Sequence, residues 1–309
     1  MNAPLKIAGF VLGLAVVFGA AMGVGATLSP DPAVGATTHS QPSEVPAVQE
    51  ATAAELPAGL SSTENGYTLR LAQTRVDAGK QILLSFRITD ATGAAVTRFV
   101  DNHEKQLHLI VVRRDMAGFQ HVHPTMDSTG TWSVPVDLSP GDYRVFADFI
   151  PAGGEALALG ADVHVAGRYD PLPLPAPATT ATVDGFIVKL SGSPKANEPS
   201  MLTFSVSRDG KPVTDLQPYL GAYGHLVALR ASDLAYLHVH PMGEPGDGVT
   251  TAGPEIGFHT TFPSDGDYRL FLDFKHQNVV RTAEFTVSVD GGPQTTNRTA
   301  PPAGSGHGH

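Results

Sequence analysis

Gly141-Asp142-Tyr143-Arg144-Val145-Phe146-Ala147-Asp148-Phe149 is the stretch that decides the fold. It returns as Gly266-Asp267-Tyr268-Arg269-Leu270-Phe271-Leu272-Asp273-Phe274. A Gly-Asp pair leading into β-branched and aromatic residues reads as a turn feeding a strand. A Tyr at the start of a late strand is where immunoglobulin-like sandwiches place a tyrosine corner, its hydroxyl bonded back to the backbone. Strand side chains alternate between faces. Tyr143, Val145, Ala147 and Phe149 are therefore expected to face inward, and Phe146 and Asp148 outward.

Working outward, other segments repeat as well. Leu84-Ser85-Phe86-Arg87-Ile88 matches Leu202-Thr203-Phe204-Ser205-Val206, and Gly93-Ala94-Ala95-Val96-Thr97 matches Gly210-Lys211-Pro212-Val213-Thr214. Short alternating apolar runs separated by Gly, Pro, Asp and Asn predict an all-β chain of two tandem immunoglobulin-like β-sandwich domains. The repeats are placed at 59–168 and 180–290, with Trp132 and Phe258 in their cores. A Pro-rich segment at 169–179 joins them as an extended linker.

A second repeated pattern carries chemistry. His108 is followed, after twelve residues, by His121-Val122-His123-Pro124; His225 is followed at the same spacing by His238-Val239-His240-Pro241. If Arg114-Asp115-Met116-Ala117 is a hairpin turn, His108 falls opposite His123 and Ile110 opposite His121. All three histidines then share one face. The second copy gives the same arrangement. Pro124 and Pro241 end the strand and put each trio at the sandwich rim, near solvent. Three converging imidazoles leave one position open on a zinc or copper ion. Met126 and Met242 follow closely, and thioethers lean the choice toward copper. Asp148 and Asp273 are candidate fourth ligands or partners that orient a histidine, and Glu104 is another. The competing reading makes the histidines polar lining of the core rim. His103, His164 and His276 have no counterpart in the other copy and read as surface residues; His259 is a candidate extra ligand.

The chain has 309 residues, a net charge of −10 and no Cys. No block of like charges suits it to nucleic acid, and thiolate metal sites are excluded. Residues 7–28 are 22 uncharged, mostly apolar residues after Lys6. They are read as a transmembrane helix anchoring the body outside the membrane, or as a signal segment cleaved near Val24-Gly25-Ala26, which would leave the protein secreted. The anchor or signal takes 1–28. A Pro-, Ala- and Ser-rich stretch at 29–58 reads as a disordered stalk, and 291–309 as a disordered tail with His307 and His309 at its end.

On His108-Leu109-Ile110-Val111-Val112, Phe119-Gln120-His121-Val122-His123-Pro124 and the Gly-Asp-Tyr strand, the chain resembles bacterial exported proteins labelled as secreted or heavy-metal-binding. The second copy fits the same pattern. In its His-x-His on a small extracytoplasmic sandwich it is also similar, as an architecture, to periplasmic copper carriers. The resemblance implies binding of copper or zinc for handling or tolerance at the cell envelope. The sequence carries no nucleophile elbow, phosphate loop or dinucleotide fingerprint, so no enzyme activity is expected. The alternative function is a structural or interaction module presenting loops to an envelope protein partner.

Overall fold

A computed structural model describes residues 57–291. The expected anchor or signal, nearly all of the stalk, and His307 and His309 lie outside the described residues. Among the described residues no helix is long and apolar enough to cross a membrane.

The first repeat forms β1 (Thr63–Glu64), β2 (Tyr67–Leu71), β3 (Arg75–Asp77), β4 (Gly79–Thr89), β5 (Phe99–Val100), β6 (Leu107–Arg113), β7 (Gln120–Val122), β8 (Thr125–Met126), β9 (Thr131–Leu138), β10 (Gly141–Pro151) and β11 (Leu157–Ala166). One sheet runs β1-β2-β4-β9-β8; the other runs β3-β11-β10-β6-β7, with β5 also on β10. The second repeat forms β12 (Thr180–Val183), β13 (Phe186–Ser191), β14 (Pro199–Arg208), β15 (Lys211–Pro212), β16 (Gly224–Arg230), β17 (Tyr236–His238), β18 (His240–Pro241), β19 (Glu255–Thr261), β20 (Gly266–His276) and β21 (Val279–Val289). Its sheets run β12-β13-β14-β19-β18, with β15 on β14, and β17-β16-β20-β21. Both repeats are thus two-sheet sandwiches of immunoglobulin-like order.

Alternation builds each core as expected. Tyr143, Val145, Ala147 and Phe149 pack with Leu109, Val111 and Trp132 in the first. Tyr268, Leu270, Leu272 and Phe274 pack with Phe258 in the second. The tyrosine corners are present and differ slightly. The Ser139 amide donates to Tyr143 Oη at 3.0 Å, whereas Tyr268 Oη donates to the Ser264 carbonyl at 3.1 Å. Tyr143→Phe should cost about 0.5–1.5 kcal/mol, read as a lower urea midpoint at unchanged m-value.

The outward face of β10 does not meet solvent. Phe146 and Phe271 are both fully buried. They belong to a third apolar cluster, shared between the repeats, with Ile110, Val112, Val227 and Tyr236. The contacts are reciprocal. Phe119 of the first repeat stacks on Phe271 of the second, with ring centroids 3.9 Å apart and planes at 4°. Tyr236, at the matching position of the second, lies 5.5 Å from Phe146 of the first. Like an isologous dimer fused into one chain, each repeat offers the same patch to the other. β6 is consequently buried on both faces.

The chain entering the first repeat is held in this seam. Ala58 packs on the shared cluster, and the Tyr236 amide donates to its carbonyl at 2.9 Å. Arg144 donates to the carbonyls of Gly59 and Leu60, both at 2.7 Å. Gly59 has φ +75°, and a Cβ there would meet the Phe146 ring at 2.6 Å and Tyr236 Cβ at 2.9 Å. Only Gly passes between the two aromatics without strain. Residues 57–58, assigned to the stalk from composition, are therefore packed against the interface. The linker is pinned too: the Leu172 amide donates to Asp115 Oδ2 at 2.8 Å, and Leu174 packs on the shared cluster.

Candidate metal site

The β6–β7 hairpin has the register that the spacing predicts: Ile110 opposite His121 and Leu109 opposite Val122. β7 ends at Val122, and β8 joins the opposite sheet, with Met126 across from Trp132. His123 sits where the chain crosses between sheets. His108, His121 and His123 each bring a ring nitrogen within 4.8 Å of the others. Imidazoles bound at ~2.0–2.1 Å around one tetrahedral ion would have ring centroids about 5 Å apart. The three pairs measure 5.3, 5.0 and 4.9 Å.

Hydrogen bonds on the far sides of the rings set the tautomers. His108 Nε2–H donates to the Asn102 carbonyl at 2.9 Å, so its Nδ1 carries a lone pair when the ring is neutral. His121 Nδ1–H donates to Asp273 Oδ2 at 2.8 Å, which leaves Nε2 as its lone-pair nitrogen. Those two nitrogens face each other at 3.1 Å, and His123 Nε2 is 3.2 Å from the same His108 Nδ1. Two opposed lone pairs need something positive between them. A metal cation is one such species. Such a donor set can hold a divalent metal, and oxygen acceptors fix two of the rings, His108 and His121.

Burial favours the neutral, ligating form. Desolvation is the largest cause pushing His108 down to about 4, and the His121 ring adds to it. Desolvation, then His121 and His108, push His123 down to about 3. His225 is pushed down to about 4 in the same way. Between pH 6.5 and about 4 the unfolded chain therefore binds protons that these folded histidines refuse. Stability rises with pH across that window, so metal-free protein should lose stability as pH falls through it. The loss is on the order of 3 kcal/mol for His108 or His225. Urea midpoints at pH 7.5 and 4.5 give the check: equal midpoints would contradict the depressed histidines.

A tight turn supplies the carbonyl for His108. Asn102 and Lys105 exchange backbone hydrogen bonds of 2.8 and 3.1 Å, and His103 and Glu104 between them have φ of 48° and 64°. Two left-handed residues in succession make a type I′ geometry, which ordinarily selects Asn-Gly. Tyr219-Leu220-Gly221-Ala222 forms the same turn in the second repeat, and the Tyr219 carbonyl accepts from His225 Nε2 at 2.8 Å. The first turn brings in His103, whose ring lies 5.2 Å from His225 and 6.3 Å from His108. From the sequence His103 read as a surface residue. His-Glu is no turn signature, and the matching position holds Leu220, so no sequence signal marked it.

Several expectations change. His121 is not at a solvent-facing rim: its side chain is 6% exposed and meets Asp273 of the second repeat, itself 5% exposed, while His123 is half-buried. The His225 ring points into the same space as the first trio, 6.4 Å from His121. A cavity of about 30 Å³, room for roughly one water, is lined by His103, His108, His121, Asp148 and His225. His238 lies opposite Val227, as the spacing predicts, while His240 pairs with His259 in the other sheet; the His238 and His240 side chains lie outside the description. Met126 packs against the first core, and Met242 is 39% exposed. Glu104 and His259 are exposed. Asp148 is buried opposite His108, where it accepts the Tyr236 hydroxyl at 2.8 Å.

Fold and site together define a tandem immunoglobulin-like sandwich pair with a histidine cluster buried in the seam between its repeats. The chain belongs to the family described as a domain of unknown function, DUF8832, which matches residues 61–167 and 181–291. No curated protein matches it in sequence. Among solved structures it is similar to FdeC, an Escherichia coli adhesin, at 19% identity over 74% of this chain and 65% of that one, with a TM-score of 0.23. InvD of Yersinia pseudotuberculosis gives 14% identity over 77% and 62%, with a TM-score of 0.25. The D0-D1 domain of intimin gives 12% over 72% and 97%, with a TM-score of 0.21. The chain spans less than two thirds of FdeC and InvD. Superpositions this loose carry no functional argument.

Proposed function

We propose that this is an extracytoplasmic protein that binds a divalent metal, copper or zinc, at His108, His121 and His123, for metal handling at the cell envelope without catalysis. The observation that carries the reading is the pair of opposed lone-pair nitrogens on His108 and His121, each ring held by an oxygen acceptor on its far side. With Met126 turned into the core, the donors are imidazoles beside carboxylates, a set suited to Zn(II) or Cu(II) rather than Cu(I). The export of the body rests on the apolar segment at 7–28, which either anchors it in the membrane or is cleaved.

The test is metal titration by calorimetry in a His307→Ala/His309→Ala background, which removes tail binding. The capacity should fall by about one ion per chain when His121 and His123 are both changed to Ala. A background protein that binds neither Zn(II) nor Cu(II) would falsify the reading. One observation favours a second function, an interaction module for an envelope protein. The shared apolar cluster holds the repeats together with no ion needed, so the histidines could serve only as its polar border. Capture of a defined envelope partner that is indifferent to chelator, from a protein that takes up no metal, is the result that selects it.

A further inference from the structure

We infer that the metal-binding unit is the pair of repeats rather than the single sandwich, with Asp273 of the second repeat as the positioning residue for His121 of the first. The inference rests on the metal reading above and names what that reading does not: the repeat that supplies the trio cannot orient it alone.

Asp273 lies on β20, directly opposite His225 on β16. The Thr282 hydroxyl, on the neighbouring β21, donates to Asp273 Oδ1 at 2.6 Å. That bond fixes the carboxylate so that Oδ2 reaches across the seam to His121 Nδ1 at 2.8 Å. The first repeat has its own equivalent, Asp148, beside His108. Asp148 also reaches across the seam, to the Tyr236 hydroxyl. Each repeat's aspartate therefore serves a residue of the other's hairpin. The carboxylate holds His121 in the tautomer whose Nε2 faces His108 and His123, and it places a negative charge beside three imidazoles that would otherwise share a dication unaided. A hydrogen bond made only when the repeats are docked ties ion retention to docking. Parting the repeats would free His121 to rotate and weaken the ion's hold.

The experiment uses the full chain with His307→Ala/His309→Ala, with Zn(II) alone for affinity and Co(II) alone for its visible absorption. Asp273→Asn should weaken Zn(II) binding 10–100-fold, the range typical of an outer partner to a metal-bound His. It should also shift the Co(II) bands, which a general loss of stability would not do. Thr282→Val keeps the carboxylate but frees its rotamer, and should move both readouts in the same direction by less. If Asp273→Asn binds Zn(II) like the parent with an unchanged Co(II) spectrum, the inference is overturned while the metal reading stands. If the parent binds neither ion, the metal reading falls first and this one with it. Should Asp273→Asn fail to fold, Thr282→Val decides: an unchanged affinity and spectrum overturn the inference.

Discussion

His108→Ala should abolish metal binding at the trio. His108 is the hub, with its Nδ1 in contact with both His121 Nε2 and His123 Nε2. Its loss removes a ligand rather than an outer partner, so the affinity should fall more than the roughly 100-fold upper range for outer partners. Thermal unfolding gives the second readout. An ion at one hundred times its dissociation constant stabilises the folded state by about 2.7 kcal/mol. For a protein of this size that is a shift of roughly 5–10 °C in Tm. The parent should show it and His108→Ala should not. Removing the imidazole also takes away one of the two donors to the Asn102 carbonyl, which keeps the Lys105 amide at 3.1 Å, at a cost of about 0.5–1.5 kcal/mol in the metal-free protein. The comparison is therefore made within each protein, with and without ion. A His108→Ala protein that keeps the parent's affinity would remove the trio from consideration.

Phe271→Ala should separate the repeats while leaving each sandwich folded. Phe271 is fully buried, yet it belongs to the shared cluster and not to either core. Truncating a buried Phe costs about 3–5 kcal/mol. Here the cost falls on docking, because the loss strips the stacking partner from Phe119. Two transitions in calorimetry, where the parent shows one, and a larger radius of gyration by X-ray scattering are the expected results. Phe274→Ala, three residues along and inside the second core, should instead unfold the second repeat itself. If Phe271→Ala leaves the scattering profile and the single transition intact, the seam is not what holds the repeats together.

Much of this was legible from spacing. The period of two along Tyr143 to Phe149 assigned the core face, because only one set of alternating side chains can enter a sandwich. The His-x12-His-x-His spacing implied a register, and the ladder from Leu109 to Val122 has it. The destination of the other face was not legible. Phe146 and Ile110 lie on strands, and Phe119 just before one, and alternation along the chain gives only which face each is on, not what that face meets. His103 was hidden for a different reason. It is placed by a left-handed turn that its own residue type disfavours, and surrounding contacts hold it there.

The sequence by itself determined that this is a duplicated β-sandwich whose hairpins set Ile110 opposite His121 and Val227 opposite His238. Local alternation and turn chemistry are enough for that, because each residue's face follows from its neighbours along the chain. Only the tertiary structure decided what those faces meet. The docking of two homologous patches brings His225 toward the first trio, and sets Asp273 behind His121 from 152 residues away. A hydrogen bond across a docked seam depends on the relative placement of two independently folded bodies, and no periodicity within either one encodes it.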